Sequence, residues 1–201
     1  MMDAGFVEHL ATNRYFDRTF NSEAVKVLPG EYIVTTSNMV LVTVLGSCVS
    51  ACIRDRVKGI GGMNHFMLAE SQDRGALSAS ARYGVYAMEI LINHLLKLGA
   101  SRANLEAKLF GGGRVMAALG SSMVGERNAS FALQFLKTEG ITVVAQDLLD
   151  ITPRKVYFFP YTGRALVKKL AQTNNDTLAR REKEYLARLT EAPVAGDVEL
   201  F

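Results

Sequence analysis

Tryptophan is absent from this sequence of 201 residues, and cysteine, histidine and proline are scarce, at two, three and four residues. So few cysteines exclude a disulfide-stapled scaffold. If Cys48 and Cys52 lie on one extended strand, their Cα atoms stand roughly 13 Å apart, beyond the span of a disulfide. Free thiols suit a reducing compartment. No apolar run approaches the ~20 residues of a membrane span. The N-terminal stretch "MMDAGFVEHLATNRYFDRTF" is too charged and interrupted for the apolar region of a signal peptide. The expectation is a cytoplasmic protein without membrane insertion. Excess charge is also small: the formal net charge is +3, without the dense basic runs and interleaved aromatics of a nucleic-acid groove. Nucleic acid is therefore not an expected partner.

What the chain does have is an ordinary globular composition, 49% hydrophobic and 21% charged, long enough for one domain with a sizeable core. Residues 1–24 are polar and weakly periodic and read as an N-terminal extension. An ordered unit follows over 25–170, and 171–201 read as a charged helical tail, solvated and dispensable for chemistry. Within the ordered unit, Pro29-Gly30 marks a turn, and "MVLVTVLG" and "VSACIRD" are rich in β-branched residues. After the polar "DRVK", "GIGGMNHFML" returns as the second arm of a hairpin. A long polar loop containing "SQDRG" precedes a helix over 80–98 that buries Val85, Met88, Leu91, Ile92, Leu95 and Leu96. Gly99 caps it. Leu105, Ala107 and Leu109 then alternate with Glu106 and Lys108 as on a half-buried strand, ended by the glycine-rich turn 111–113. A second helix, with Ala132, Phe135 and Leu136 inward, ends at Gly140, and three more strands follow, two of them around "PYTG".

Two residues in the first hairpin carry chemistry. A symmetric turn, either two residues at Arg56-Val57 or four over 55–58, sets Cys48 opposite His65. Opposed side chains have Cβ atoms about 4.5–5.5 Å apart on one face, within reach of a sulfur-to-imidazole hydrogen bond. A one-residue bulge would send His65 to the other face. An imidazolium beside a thiol turns it into a thiolate nucleophile. Gly46 permits close backbone approach, and the N–H groups around Ser47 and Cys48 suit an oxyanion hole. Against this stands the plainer alternative that Cys48 is a small hydrophobe in a core strand, which burial statistics alone favour. Cys52 reads as such a core residue. "GGGR" at 111–114 lacks the Lys-Ser/Thr of a phosphate loop and reads as a turn or the wall of a site. Gly125, Arg127 and Asn128 suit a helix N-cap or a supporting role at the site. The cysteine and histidine spacing matches no zinc signature, so no metal or other cofactor is expected.

The runs "LPGEY", "LVTVLGSCVSACIRD", "GIGGMNHFML", "RYGVYAMEILINHLLKLGA", "NLEAKLFGGG", "VGERNASFALQFLKTEGI" and "RKVYFFPYTGRALVKKL" resemble the CheD family of bacterial chemotaxis over about residues 27–170. The resemblance implies an α+β fold, a three-layer α/β/β sandwich related to the catalytic domains of deamidating toxins. It implies a protein-glutamine glutaminase, a cysteine hydrolase that converts glutamines of methyl-accepting chemotaxis receptors to glutamate and releases ammonia. Cys48 matches the family's nucleophile and His65 its base. The third member is a threonine shortly before the cysteine, in some members six positions upstream, where this chain has Val42. Thr43, one position closer, is carried as that residue. By strict alternation Thr43 and Cys48 face opposite sides, so Thr43 reaches His65 only if the backbone at Gly46 breaks the alternation. Receptors are the implied partners, with a CheC-type phosphatase or response regulator as further ones. Receptor methylesterase chemistry at the same site, a non-catalytic receptor-binding adaptor and a thiol protease are the alternatives. A substrate side chain presented by a receptor helix calls for an open, shallow approach to Cys48, walled by "SQDRG" and residues 111–113.

Overall fold

The computed structural model describes residues 9–68, 79–115, 123–170 and 175–191. Among the described residues there are ten strands and three α-helices. The strands are β1 (Asn13–Asp17), β2 (Ser22–Lys26), β3 (Tyr32–Thr35), β4 (Val40–Leu45), β5 (Val49–Asp55), β6 (Gly61–Asn64), β7 (Leu105–Gly111), β8 (Thr142–Leu148), β9 (Arg154–Phe159) and β10 (Arg164–Lys169). The helices are α1 (Ala79–Lys97), α2 (Val124–Thr138) and α3 (Asn175–Glu191). One sheet has the order β1-β2-β4-β9-β10 and the other β3-β6-β5-β7-β8.

The two-residue period of a strand sorts the side chains into layers. On β5, Val49, Ala51 and Ile53 point to one face, where Met88, Leu91, Ile92 and Leu95 of α1 and Ala129, Ala132 and Leu136 of α2 cover them. Cys52 points to the opposite face and meets Leu41 and Leu45 of β4 and Val156 and Phe158 of β9. The result is helices on sheet on sheet, the α+β architecture expected above. β4 and β5 do not pair with each other; they belong to different sheets. Gly46, Ser47 and Cys48 are the crossing between them.

The β5–β6 hairpin forms, but its register differs from expectation by two residues. Cys52 pairs with Met63, and the ladder extends through a bridge between Val49 and Phe66. The turn is residues 56–59. Asp55 stays in the ladder, its N–H donating to the Ile60 carbonyl at 2.8 Å while its carboxylate accepts the N–H groups of Val57 and Lys58. Because the slip is by two and not by one, the histidine stays on the Cys48 face.

Both expected appendages are corrected by packing. Residues 13–24 are not an extension: β1 and β2 form a hairpin whose Ala24–Lys26 pair in parallel with Val40–Val42. Phe20 stacks edge-on against Tyr157 and Phe159 on the outer face of that sheet. The strands are short, β1 is largely exposed and β2 buries the adjacent Ala24 and Val25, which is why no alternation announces them. The tail does form a helix, α3, but it is not simply solvated, since Glu182, Tyr185 and Leu186 are buried. Among the described residues, no helix is long and apolar enough to cross a membrane.

Candidate active site

The crossing 46–48 is held by its carbonyl groups. The Gly46 carbonyl accepts from Gly113 N–H at 2.7 Å, that of Cys48 from Gly112 N–H at 2.8 Å, and that of Ser47 from the Asn128 side-chain amide at 2.8 Å. Asn128 is fully buried in α2 and its other amide atom accepts the Leu68 N–H at 2.9 Å. With the Gly46 and Ser47 carbonyls turned toward the glycine turn and α2, the trans peptide planes aim the Ser47 and Cys48 N–H groups to the opposite side, where that of Gly46 joins them. They converge on one carboxylate. Glu182 of α3 accepts from Gly46 N–H at 2.8 Å, Ser47 N–H at 2.9 Å, Cys48 N–H at 3.3 Å and the Ser47 hydroxyl at 2.6 Å. A Cβ at Gly46 would lie 2.8 Å from that carboxylate, so glycine is what lets an acyl group approach the loop.

Thr43, Cys48 and His65 lie at the face between the two sheets. The Thr43 hydroxyl donates to the Val27 carbonyl at 2.8 Å, which uses its only proton. Its oxygen must then accept the His65 Nδ1–H, also at 2.8 Å. The imidazole is thereby fixed with its proton on Nδ1 and a free lone pair on Nε2, and Nε2 is a buried atom without a hydrogen-bond partner. The His65 backbone is held between Gly30 N–H and the Glu31 carbonyl. In the register set by Val49 and Phe66, His65 is the diagonal neighbour of Cys48, a separation that long side chains bridge. Thr43 reaches this face because β4 ends at Leu45 and the chain changes sheets before Cys48. Val42 points away, into the outer cluster with Ala24 and Val40.

Burial sets the resting protonation. Cys48 is 0% and His65 2% exposed. Burial, and then the neighbouring Glu182 carboxylate, push the Cys48 thiol well above its usual range. Burial pulls His65 down to about 4, against the Val27 carbonyl, which favours its charged form. The thiolate–imidazolium pair expected from the sequence is therefore not the resting state; a neutral thiol and a neutral base are. Nor is the approach to Cys48 open, because α3 covers it. Cys52 is a free, buried residue of the inter-sheet core, as expected.

Of the two roles open to Asn128 the structure shows the supporting one, and the occupant of the loop, Glu182, escaped sequence reasoning. Asn128 is not an N-cap: α2 starts at Val124 with Met123 before it, and Asn128 lies a turn inside, bridging Ser47 to Leu68. Glu182 sits in a charged stretch that reads as a solvated face, and only the apolar Tyr185, Leu186 and Leu189 one and two turns later hint at a buried stripe. The "SQDRG" wall falls outside the described residues. No cluster of histidine, cysteine and carboxylates able to hold a metal is found among the described residues.

The family model described as "CheD chemotactic sensory transduction" matches residues 67–169. Whole-chain relatives extend the likeness across the crossing loop. The chain is 64% identical over 200 residues to "Probable chemoreceptor glutamine deamidase CheD 1" of Dechloromonas aromatica, covering 100% of both chains. It is 63% identical to "Probable chemoreceptor glutamine deamidase CheD" of Herminiimonas arsenicoxydans, over 96% of this chain and 97% of that relative. It is 62% identical to the protein of the same name from Thiobacillus denitrificans, over 100% of both.

Proposed function

This chain belongs to the CheD family, and from that premise we propose that it hydrolyses glutamine side chains of chemotaxis receptors to glutamate, with Cys48 as nucleophile, His65 as acid and base and Thr43 as its orienting partner. The observation that carries the reading is the convergence of the Gly46, Ser47 and Cys48 N–H groups on one carboxylate. The side-chain amide and its product acid are acyl groups of the same shape. Gly46 and Cys48 N–H share one carboxylate oxygen and Ser47 N–H takes the other, and a site that grips a carboxylate in this way beside a cysteine has donors for the developing oxyanion of the amide.

The chemistry runs in two halves. His65 Nε2 takes the thiol proton as Cys48 sulfur attacks the carboxamide carbon, and the carbonyl oxygen becomes an oxyanion facing the Gly46 and Cys48 N–H groups, which share one acceptor oxygen of Glu182 at rest. His65 returns that proton to the departing nitrogen, and ammonia leaves a thioester. Water, deprotonated by the same Nε2, then attacks the thioester carbon, the carbon–sulfur bond breaks, and the thiol is restored with glutamate released. The Thr43 bond keeps Nδ1 protonated in both halves, so Nε2 alone does the transfers. The work is cytoplasmic, where thiols stay reduced. A CheC-type phosphatase or a response regulator is a further partner class, to be checked by co-purification.

Mass spectrometry of a receptor cytoplasmic fragment carrying glutamines tests this. Wild-type protein should convert defined glutamines to glutamate with ammonia released, and Cys48→Ala and His65→Ala should not. Thr43→Val should lower turnover roughly 10–100-fold, the usual loss when an orienting partner is removed, and Thr43→Ser should restore it. Cleavage of the receptor backbone, or binding without any mass change by wild type, overturns the reading.

A further inference from the structure

Glu182 occupies the place where the product carboxylate belongs, and it arrives there on a helix. The loop is already fixed through its three carbonyls, so the carboxylate does not set its path; it satisfies three buried N–H groups that a bound acyl oxygen could satisfy in its place. On a helix, positions i, i+3, i+4 and i+7 share one face. Glu182, Tyr185, Leu186 and Leu189 form such a stripe. Tyr185 and Leu186 are buried in the cluster that joins Val27, Met39, Cys48 and Met67, and Leu189 packs against it. The Tyr185 hydroxyl hydrogen-bonds that of Tyr83 on α1, and it lies so close to Gly30 that a Cβ there would come within 2.8 Å of the hydroxyl oxygen. The other faces of α3 are largely charged, as in the exposed pair Arg180 and Glu184.

We propose that α3 is an internal competitor for the substrate: it lies in the track that receives a receptor helix, and its Glu182 stands in for the deamidated glutamate until a receptor helix displaces it. This rests on the deamidase reading above and adds two things to it. The substrate is a helix that presents its glutamine with apolar side chains three, four and seven residues C-terminal, the spacing of Tyr185, Leu186 and Leu189. The chain at rest is closed, with Cys48 and Glu182 both 0% exposed, so receptor affinity is lowered by the fraction of molecules in which α3 is away.

The full-length chain tests itself. In Glu182→Gln, an amide is delivered to Cys48 by the same helix; with water it should yield the acid and ammonia, seen as the mass shift of deamidation at position 182. The shift should be absent when Cys48→Ala is added. Glu182→Ala should leave kcat on the receptor fragment near wild type and lower KM by about tenfold or more, because a competitor has been weakened. It should also speed alkylation of Cys48 by iodoacetamide by a similar factor. A persistent amide at position 182, together with an unchanged KM in Glu182→Ala, while the receptor fragment is deamidated normally, overturns the competitor and spares the deamidase. If no chain deamidates the fragment, the deamidase reading falls and the competitor falls with it. Should Glu182→Ala not fold, the near-isosteric Glu182→Gln still decides by its own mass.

Discussion

His65 is neutral in the fold because charging it would place a cation in a site shut from water. The unfolded chain faces no such obstacle, so acid favours unfolding. The folded value of about 4 lies below the ordinary 6.5. Between those values the unfolded state binds a proton that the folded state does not. The stability from this residue is complete above about pH 6.5 and is lost as pH falls toward 4, roughly 3 kcal/mol in all. Denaturant titrations from pH 4.5 to 7.5 should show wild type losing stability on acidification and His65→Gln losing much less. Parallel curves would show that the imidazole is not the group that titrates. Asp55, held below the usual carboxylate range by backbone N–H bonds from Ser101, Lys58 and Val57 despite its burial, contributes its loss below that window. At this scale, Cys48 and His65 were legible because a thiol and an imidazole are rare enough in this chain to stand out. The Thr43–His65 contact needed the structure, since strict alternation places Thr43 opposite Cys48 and only the change of sheet brings it round.

Among the elements, the glycine turn after β7 holds the loop 46–48 through its Gly112 and Gly113 N–H groups. Gly111 has φ +107°, and a Cβ there would lie 2.1 Å from the Cys48 carbonyl oxygen. Gly111→Ala must move either the turn or the loop, and the bonds from Gly112 and Gly113 couple the two. Backbone strain of this kind costs on the order of 1–3 kcal/mol. The expected result is a larger loss in kcat than in denaturation midpoint, about tenfold or more, because the N–H groups of 46–48 tilt with their carbonyls. Gly140→Ala is the control. Its φ is +68°, with nothing within 4 Å of the added Cβ, so it should lower stability and leave kcat intact. Activity of Gly111→Ala equal to that control would remove the turn from the mechanism. The inward faces of α1 and α2 and the alternation of β7 were readable because one buried face imposes a period on sequence. The hairpin register was not, because the Asp55 carboxylate keeps that residue in the ladder and moves the turn to 56–59, a local hydrogen-bond choice that hydrophobic pattern does not record.

Across the whole molecule, the site is made where two sheets meet, and α3 closes it from outside the strand ladders. The contacts of Glu182 span 134–136 residues of sequence, so no local window could have announced them. α3 follows β10 in the chain and adds no strand or ladder bond, and its anchors are the buried Glu182, Tyr185 and Leu186. Such an element sits at the low end of local stability while the sheets set the global value. Hydrogen exchange on the full-length chain should therefore find residues 177–189 opening by sub-global motion, with β4, β5, β7 and β9 protected to the level of global unfolding. Glu182→Ala should accelerate exchange in that helix while leaving the core strands unchanged, and a receptor fragment added to wild type should do the same by taking its place. If the strands instead lose protection together with α3, the helix is part of the folding unit and its departure cannot serve as the opening step of a catalytic cycle.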